Sequence, residues 1–204
     1  MKDSTKIIAT FIITISIFIS GFLIGNISLD YKVDILNDLQ SDLYTTSLGF
    51  DTLSELANEN ICDESSIYEL NSILTEFGEK ITYLEKENID LNNLKNQYYA
   101  LEIKHYLIIT KINKECGKKY DTLLYFYSNY EECILCEIQG NELTKMKDEK
   151  NELMVYSFDY KSDFPPVKNL VSKSNITELP HLIINNNEYN FLNFNEIKIL
   201  FDTQ

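Results

Sequence analysis

Arginine and tryptophan are both absent from this chain of 204 residues. All 18 basic residues are therefore lysine, against 32 acidic ones, for a formal net charge of −14. That balance excludes nucleic acid as a partner, because phosphate binding needs a basic face and none is present. Proline is scarce: Pro165, Pro166 and Pro180 are the whole set, so residues 30 to about 116 hold none. Only Gly49 and Gly78 interrupt that stretch, which leaves long helices unbroken. Two histidines, four cysteines and a single Cys-x-x-Cys supply too few ligands for a zinc or copper centre. No nucleophile elbow, phosphate-cradling glycine loop or His-Glu-x-x-His occurs, so hydrolase chemistry finds no support.

Charge is missing altogether from Ile7 to Leu29, a run dominated by Ile, Phe and Leu. As a helix these residues extend about 34 Å, enough to cross a hydrocarbon core of about 30 Å. Lys2 and Lys6 precede the run, and the segment after it opens on Asp30 and stays acidic. Lysine on the N-terminal side places residues 1–6 in the cytoplasm and everything after about residue 30 outside. A cleaved signal peptide is the rival reading. The run is long and lacks an Ala-x-Ala-like site at its end, which favours an uncleaved single-pass anchor over residues 7–29.

Residues 30–118 read as a helical stalk and an antiparallel helical hairpin. A less regular helix, about Tyr31 to Asn58, has its stripe broken by Gln40 and Ser47 and is open to pairing with a second copy as a coiled coil. Ile67, Leu70, Leu74, Phe77, Ile81 and Leu84 then recur at spacings of three and four. Leu91, Leu94, Tyr98, Leu101, His105, Ile108 and Ile112 form a second stripe. Ser66 with Glu69 makes a capping box for the first, and Glu87-Asn88 separates the two. His105, on an apolar stripe, reads as a packed core histidine. Cys62 precedes the first helix and Cys116 ends the second. Arms of nearly equal length bring these ends together, so an oxidising compartment predicts a Cys62–Cys116 disulfide worth about 4 kcal/mol by chain entropy. Two free, buried thiols are the alternative.

The most informative stretch is Leu123 to Gly140, LLYFYSNYEECILCEIQG. Leu123 to Tyr127 reads as a strand, Ser128-Asn129 as a loop, and Glu137 to Lys150 as a helix, with Cys133-Ile-Leu-Cys136 at the junction. Two intervening residues let the sulfurs meet across the first helical turn. Unpaired N–H groups there favour the first cysteine as thiolate. Cys133 is then the exposed nucleophile and Cys136 the partly buried resolving thiol. Glu131 and Glu132 lie just ahead and are expected to oppose that thiolate, unless they are only a solvated loop.

A strand over Leu153 to Phe158, a proline break and a short helix over Val167 to Lys173 follow. The apolar run from Leu179 to Ile184 leads through Asn185-Asn186-Asn187, read as a hairpin turn, into Tyr189 to Leu192. Phe194, Ile197, Leu200 and Phe201 close the chain on one helical face. This βαβαββα order with a dithiol at its first βα junction resembles the thioredoxin fold, an α+β or α/β class, over residues 119–204. In that family a cis proline before the third strand packs against the dithiol, and the residue ahead of it offers backbone hydrogen bonds to bound polypeptide. Leu179-Pro180 matches that position, and His181 beside it is a candidate tuner of the sulfurs or simply a half-buried residue at a strand start. The Trp-Cys-Gly-Pro-Cys signature is absent, and Tyr125 and Tyr127 stand on the strand where many thioredoxins carry a buried acid.

The resemblance implies thiol–disulfide exchange outside the membrane on thiol- or disulfide-containing proteins. It implies no bound cofactor, since electrons come from a partner dithiol or disulfide. A permanent structural disulfide within one helical turn would constrain little chain. The competing reading is a non-catalytic scaffold acting through its helical region. Asn26-Ile-Ser28 and Asn175-Ile-Thr177 match the glycosylation sequon, a pattern common by chance in an Asn-rich chain.

Overall fold

The computed structural model describes residues 2–56, 61–62, 65–86, 91–117, 120–128, 132–174 and 176–202. Glu87-Asn88, Asn129, Glu131 and Asn175 fall outside them, as does the side chain of Ser66 and with it the capping box. Contacts divide the chain into two compact units, Met1–Thr45 and Thr46–Gln204.

The described residues of the first unit are all helical. Helix α1 runs unbroken over Lys2–Leu56, so the apolar run and the helical stretch expected from about Tyr31 are continuous. Nothing there stops a helix: no proline intervenes, and single glycines lower helix stability by about 1 kcal/mol each without ending it. An 18-residue window within Lys6–Thr52 has a mean hydropathy of 2.6 and no buried residues. Among the described residues this is the one helix long and apolar enough to cross a membrane.

The second unit begins with the end of α1 and a helical hairpin. Helices α2 (Ser65–Lys86) and α3 (Asn92–Glu115) run antiparallel. Lys95 meets Glu85 at 2.7 Å, the Tyr98 hydroxyl donates to the Leu74 carbonyl at 3.1 Å, and Cys116 is bonded to Cys62. Tyr98 crosses α2 at Gly78, where a Cβ would lie 2.7 Å from the phenol oxygen. Every residue of the first stripe, Ile67 through Leu84, is buried. The second stripe is only part of the truth. Tyr98 and Ile108 are half-buried, while Tyr99, Glu102 and Ile109 form a second buried face. The cause is position: α3 packs on α2 and also on the sheet. Gly117, at φ +83°, supplies the left-handed residue that ends the helix.

The sheet has four strands in the order β2-β1-β3-β4. Strand β1 (Asp121–Tyr127) is parallel to β2 (Leu153–Asp159) and antiparallel to β3 (His181–Ile184), which pairs antiparallel with β4 (Asn187–Tyr189). Helices α4 (Ile134–Glu149), α5 (Pro165–Lys173) and α6 (Phe194–Asp202) complete a β-α-β-α-β-β-α order. The turn between β3 and β4 takes only Asn185 and Asn186, at φ 46° and 71°, as a two-residue hairpin loop requires. Strand β4 therefore starts at Asn187, two residues before the expected Tyr189, and Leu192 lies beyond it. Alternation sorts the core. Leu124, Phe126, Tyr156 and Phe158 pack with α3 and Val167 of α5. Leu123, Tyr125, Leu153 and Leu182 pack with Leu143 and Met146 of α4 and Ile197 and Phe201 of α6.

Strand β2 is an edge strand, and α3 covers its outer side. Glu102 Oε1 accepts the Ser157 N–H at 2.9 Å, and the Tyr99 hydroxyl accepts the Asp159 N–H at 3.3 Å. Side chains thus take the place of a fifth strand. At the near end, Asn113 makes two bonds to the Tyr120 backbone, donating to its carbonyl at 2.7 Å and accepting its N–H at 3.0 Å.

Burial pushes the Glu102 carboxyl up to about 8. Burial, and Lys147 nearby, lower the His105 imidazole to about 4. Between their unfolded and folded values these groups act in opposite senses. Folded Glu102 holds a proton the unfolded chain has lost, so its contribution falls as pH rises toward 8. Buried neutral His105 lowers stability only below its unfolded value of 6.5. From pH 6.5 to 8 Glu102 acts alone, and the chain should lose up to about 2 kcal/mol. Glu102→Gln keeps an acceptor for Ser157 and should abolish that decline in urea titrations at the two pH values; an unchanged decline would refute the assignment.

Candidate functional site: a disulfide at the start of helix α4

Strand β1 ends at Tyr127, and Ser128 is buried just beyond it. Cys133 is the N-cap of α4, at φ −147° and ψ 85°, and Cys136 is the third helical residue. Their sulfurs are bonded at 2.00 Å, with Cα atoms 5.3 Å apart. The Cys136 N–H, which has no partner within the helix, is shared between the Cys133 carbonyl and the Cys133 Sγ, each at 3.1 Å. The helix therefore donates to the sulfur itself, and the same donor would stabilise a thiolate there.

That tucked geometry alters the expected exposure. Cys133 is 8% exposed and Cys136 3%, so both are buried, Cys133 the less so. Ile134 and Leu135 project instead, at 64% and 49%. They present an apolar surface on the first turn, directly between the two sulfur-bearing residues in sequence.

Beneath this turn lies Tyr125 of β1. Its hydroxyl donates to the Cys136 carbonyl at 2.5 Å, and burial holds the phenol above its ordinary value, so it stays a donor. Tyr125 stacks on Tyr127 with centroids 5.5 Å apart. The Tyr127 hydroxyl lies 3.4 Å from that of Tyr99 on α3. Lys95 sits 5.8 Å over the Tyr127 ring. Burial works to lower Lys95, but Tyr99, Glu85 and Asp159 outweigh it and hold the ammonium above its usual range. A chain of aromatic and polar contacts thus joins the helical hairpin to the start of α4.

Glu132 does not act on the cysteines as its place in sequence suggests. It accepts from the Ser128 hydroxyl at 2.5 Å and pairs with Lys161 at 2.6 Å. The Lys161 and Ser128 hydrogen bonds hold its carboxyl below the ordinary value. Its charge is engaged by a lysine, so the expected opposition to a thiolate loses its source here.

The Leu179–Pro180 peptide is cis, and Pro180 is buried. His181 pairs with Phe126, so this corner lies at the end of β1 that leads to Cys133. Leu179 packs against the cluster that holds both cysteines. His181 does not join them. Its ring meets Phe126 at 6.4 Å on the opposite face of the sheet, because side chains alternate along β3 and Leu182 takes the cysteine face. Both ring nitrogens lack hydrogen bonds, and Glu188 stands 4.0 Å from Nε2. The tuning role expected of His181 therefore has no geometric basis. Cys62 and Cys116 lie at the base of the hairpin, Cα atoms 5.7 Å apart, and take no part in this site.

Gln139 escaped the sequence reading. It is fully buried on the α4 face shared by Cys136, Leu143 and Met146, where it both donates to the Leu192 carbonyl at 3.0 Å and accepts the Leu192 N–H at 2.8 Å. One polar residue within an apolar stripe was the available signal. His105 is a core residue, bonded through Nδ1 to the Tyr156 hydroxyl at 3.0 Å. Among the described residues no three His, Cys, Asp or Glu side chains are grouped to hold a metal ion.

Tyr125→Phe removes the donor beneath the Cys136 carbonyl and leaves the ring. It should lower stability by about 1 kcal/mol, read as a shifted denaturation midpoint at unchanged slope. No shift would mean that the contact adds nothing.

No protein-family model matches the chain, and no curated protein matches it. Among solved structures the chain is similar to thioredoxin-2 of the malaria parasite, described as a component of its protein secretion machinery. Identity is 20%, over 43% of this chain and 85% of that one, with a TM-score of 0.36.

Proposed function

We propose that this chain is a membrane-anchored thiol–disulfide exchange protein whose thioredoxin-like portion, about residues 119–204, acts on other proteins through Cys133 and Cys136. The observation that carries the reading is the disulfide at the N-cap of α4, with the Cys136 N–H donating to Cys133 Sγ. A purely structural bond spanning one helical turn would restrain almost no chain, whereas this position favours a nucleophilic sulfur.

In the reducing direction the Cys133 thiolate attacks one sulfur of a substrate disulfide. A Cys133–substrate disulfide forms, and one substrate sulfur leaves as a thiolate. The Cys136 thiolate then attacks Cys133 Sγ, forming the Cys133–Cys136 bond and releasing the second substrate sulfur. Two electrons pass to the substrate, and the two protons lost from the cysteines end on its thiols. The same steps reversed oxidise a substrate dithiol. Cys133 is the attacking sulfur because it is the less buried and receives the helix donor. The backbone of Leu179, ahead of cis Pro180, is suited to hold an extended substrate beside the sulfurs. The apolar part of α1 serves as the anchor, and the lysines ahead of it put the exchange site outside the membrane.

Substituting the resolving thiol tests the scheme directly. Cys136→Ser in the full chain should accumulate mixed disulfides with other proteins, at least tenfold over wild type and removable by dithiothreitol. Cys133→Ser should accumulate none. Equal adducts from both variants, or none from either, would remove exchange chemistry and favour a scaffold acting through its helices.

A further inference from the structure

The outer face of α4 changes character along its length. Over the first two turns it carries Ile134, Leu135 and Ile138, all three exposed, with Glu137 as the one charge among them. Beyond Ile138 the exposed residues are Asn141, Thr144, Lys145, Asp148 and Glu149, each of them polar. Ile138 stands four residues from Ile134 and three from Leu135, so the three side chains are neighbours on the helix surface. The inner face is Cys136, Gln139, Leu143 and Met146. On α4, large apolar side chains meet water only on the turns that bear the disulfide, and exposed apolar patches of this kind mark contact sites.

Disulfide exchange identifies what covers this patch. A substrate sulfur has to come within bonding distance of Cys133 Sγ, and Cys133 is buried at the start of the helix. The substrate chain must therefore lie against the first turn. An extended chain rises about 3.3 Å per residue, so residues two places from its cysteine lie about 7 Å away. Ile138 is five residues along a helix that rises about 1.5 Å per residue, at much the same distance from Cys133. A substrate running along α4 thus brings the residues that flank its cysteine within reach of all three side chains. Those side chains stand on a rigid helix, so covering them removes apolar surface from water at little cost in backbone order.

We infer that Ile134, Leu135 and Ile138 determine specificity, selecting polypeptides whose reacting cysteine is flanked by aliphatic or aromatic side chains. This selection rests on the exchange reading above and adds to it the class of substrate. The patch binds the flanks, and the passage of electrons between the sulfurs is as already described. A cysteine flanked by glycine leaves the patch in water and reacts more slowly.

Rates of peptide disulfide reduction test this, with the full chain reduced by dithiothreitol, freed of it and held in nonionic detergent. The substrates are the disulfide-linked dimers of acetyl-Lys-Leu-Cys-Leu-Lys-amide and of acetyl-Lys-Gly-Cys-Gly-Lys-amide, which carry equal charge. Each rate is divided by the rate at which dithiothreitol reduces the same peptide in the same detergent. A change in the protein's redox potential moves both peptides alike, so the leucine-to-glycine ratio reports recognition. The expected ratio in wild type is about five or more. Ile138→Ser, outside the Cys-x-x-Cys, should lower it about twofold, and Ile134→Ser combined with Leu135→Ser should bring it to about one. Leu107→Ser, at a similarly exposed leucine on α3, should leave it unchanged. A wild-type ratio near one, or an equal fall with Leu107→Ser and Ile138→Ser, would overturn the selection and leave exchange standing. No reduction of either peptide would remove the exchange reading and the selection together.

Discussion

An edge strand with no partner is the constraint on which the second unit rests. Strand β2 pairs on one side only, and its outer N–H groups would otherwise need water or another chain. Helix α3 supplies Glu102 and Tyr99 to Ser157 and Asp159, and so becomes part of the sheet's hydrogen bonding. Once α3 is held there, α2 follows by its apolar stripe, and the Cys62–Cys116 bond closes the base of the hairpin. The hairpin is therefore an integral layer of the fold. The cost is a buried carboxyl that holds its proton well above the ordinary carboxylate range, the source of the pH sensitivity.

The dithiol depends on the same arrangement through tyrosines. Tyr99 contacts both the β2 edge and Tyr127, Tyr127 stacks on Tyr125, and Tyr125 donates to the carbonyl of Cys136. Neutral phenols stand here because burial disfavours their ionisation. The polarity reaching Cys133 therefore comes mainly from backbone: the Cys136 N–H and the helix that begins there.

Local patterns were legible in the sequence. The apolar run of β1, the alternation of β2, the turn residues Asn185-Asn186-Asn187, the stripe of α2 and the two-residue spacing of Cys133 and Cys136 each act within a few residues. What escaped was decided by neighbours distant in sequence. Tyr99, Glu102 and Ile109 lie one position off the stripe of α3, and nothing local says that a second face will meet a sheet edge. Glu132 looked like a threat to a thiolate until Lys161 and Ser128 were seen to hold it. His181 adjoins Pro180 in sequence, yet the pleat turns it to the other side of the sheet. Helix α1 carries no stop signal at residue 30, so the apolar run and the less regular stretch after it share one helix.

The most direct measurement is a redox titration of the full chain in detergent, with thiol labelling and mass readout assigning each cysteine. The account predicts that Cys133 and Cys136 titrate together and reversibly, between about −120 and −270 mV, the span of known exchange proteins. Cys62 and Cys116 should stay bonded throughout that range. A Cys133–Cys136 bond that resists reduction below about −300 mV, or that never forms, would contradict exchange chemistry at this site.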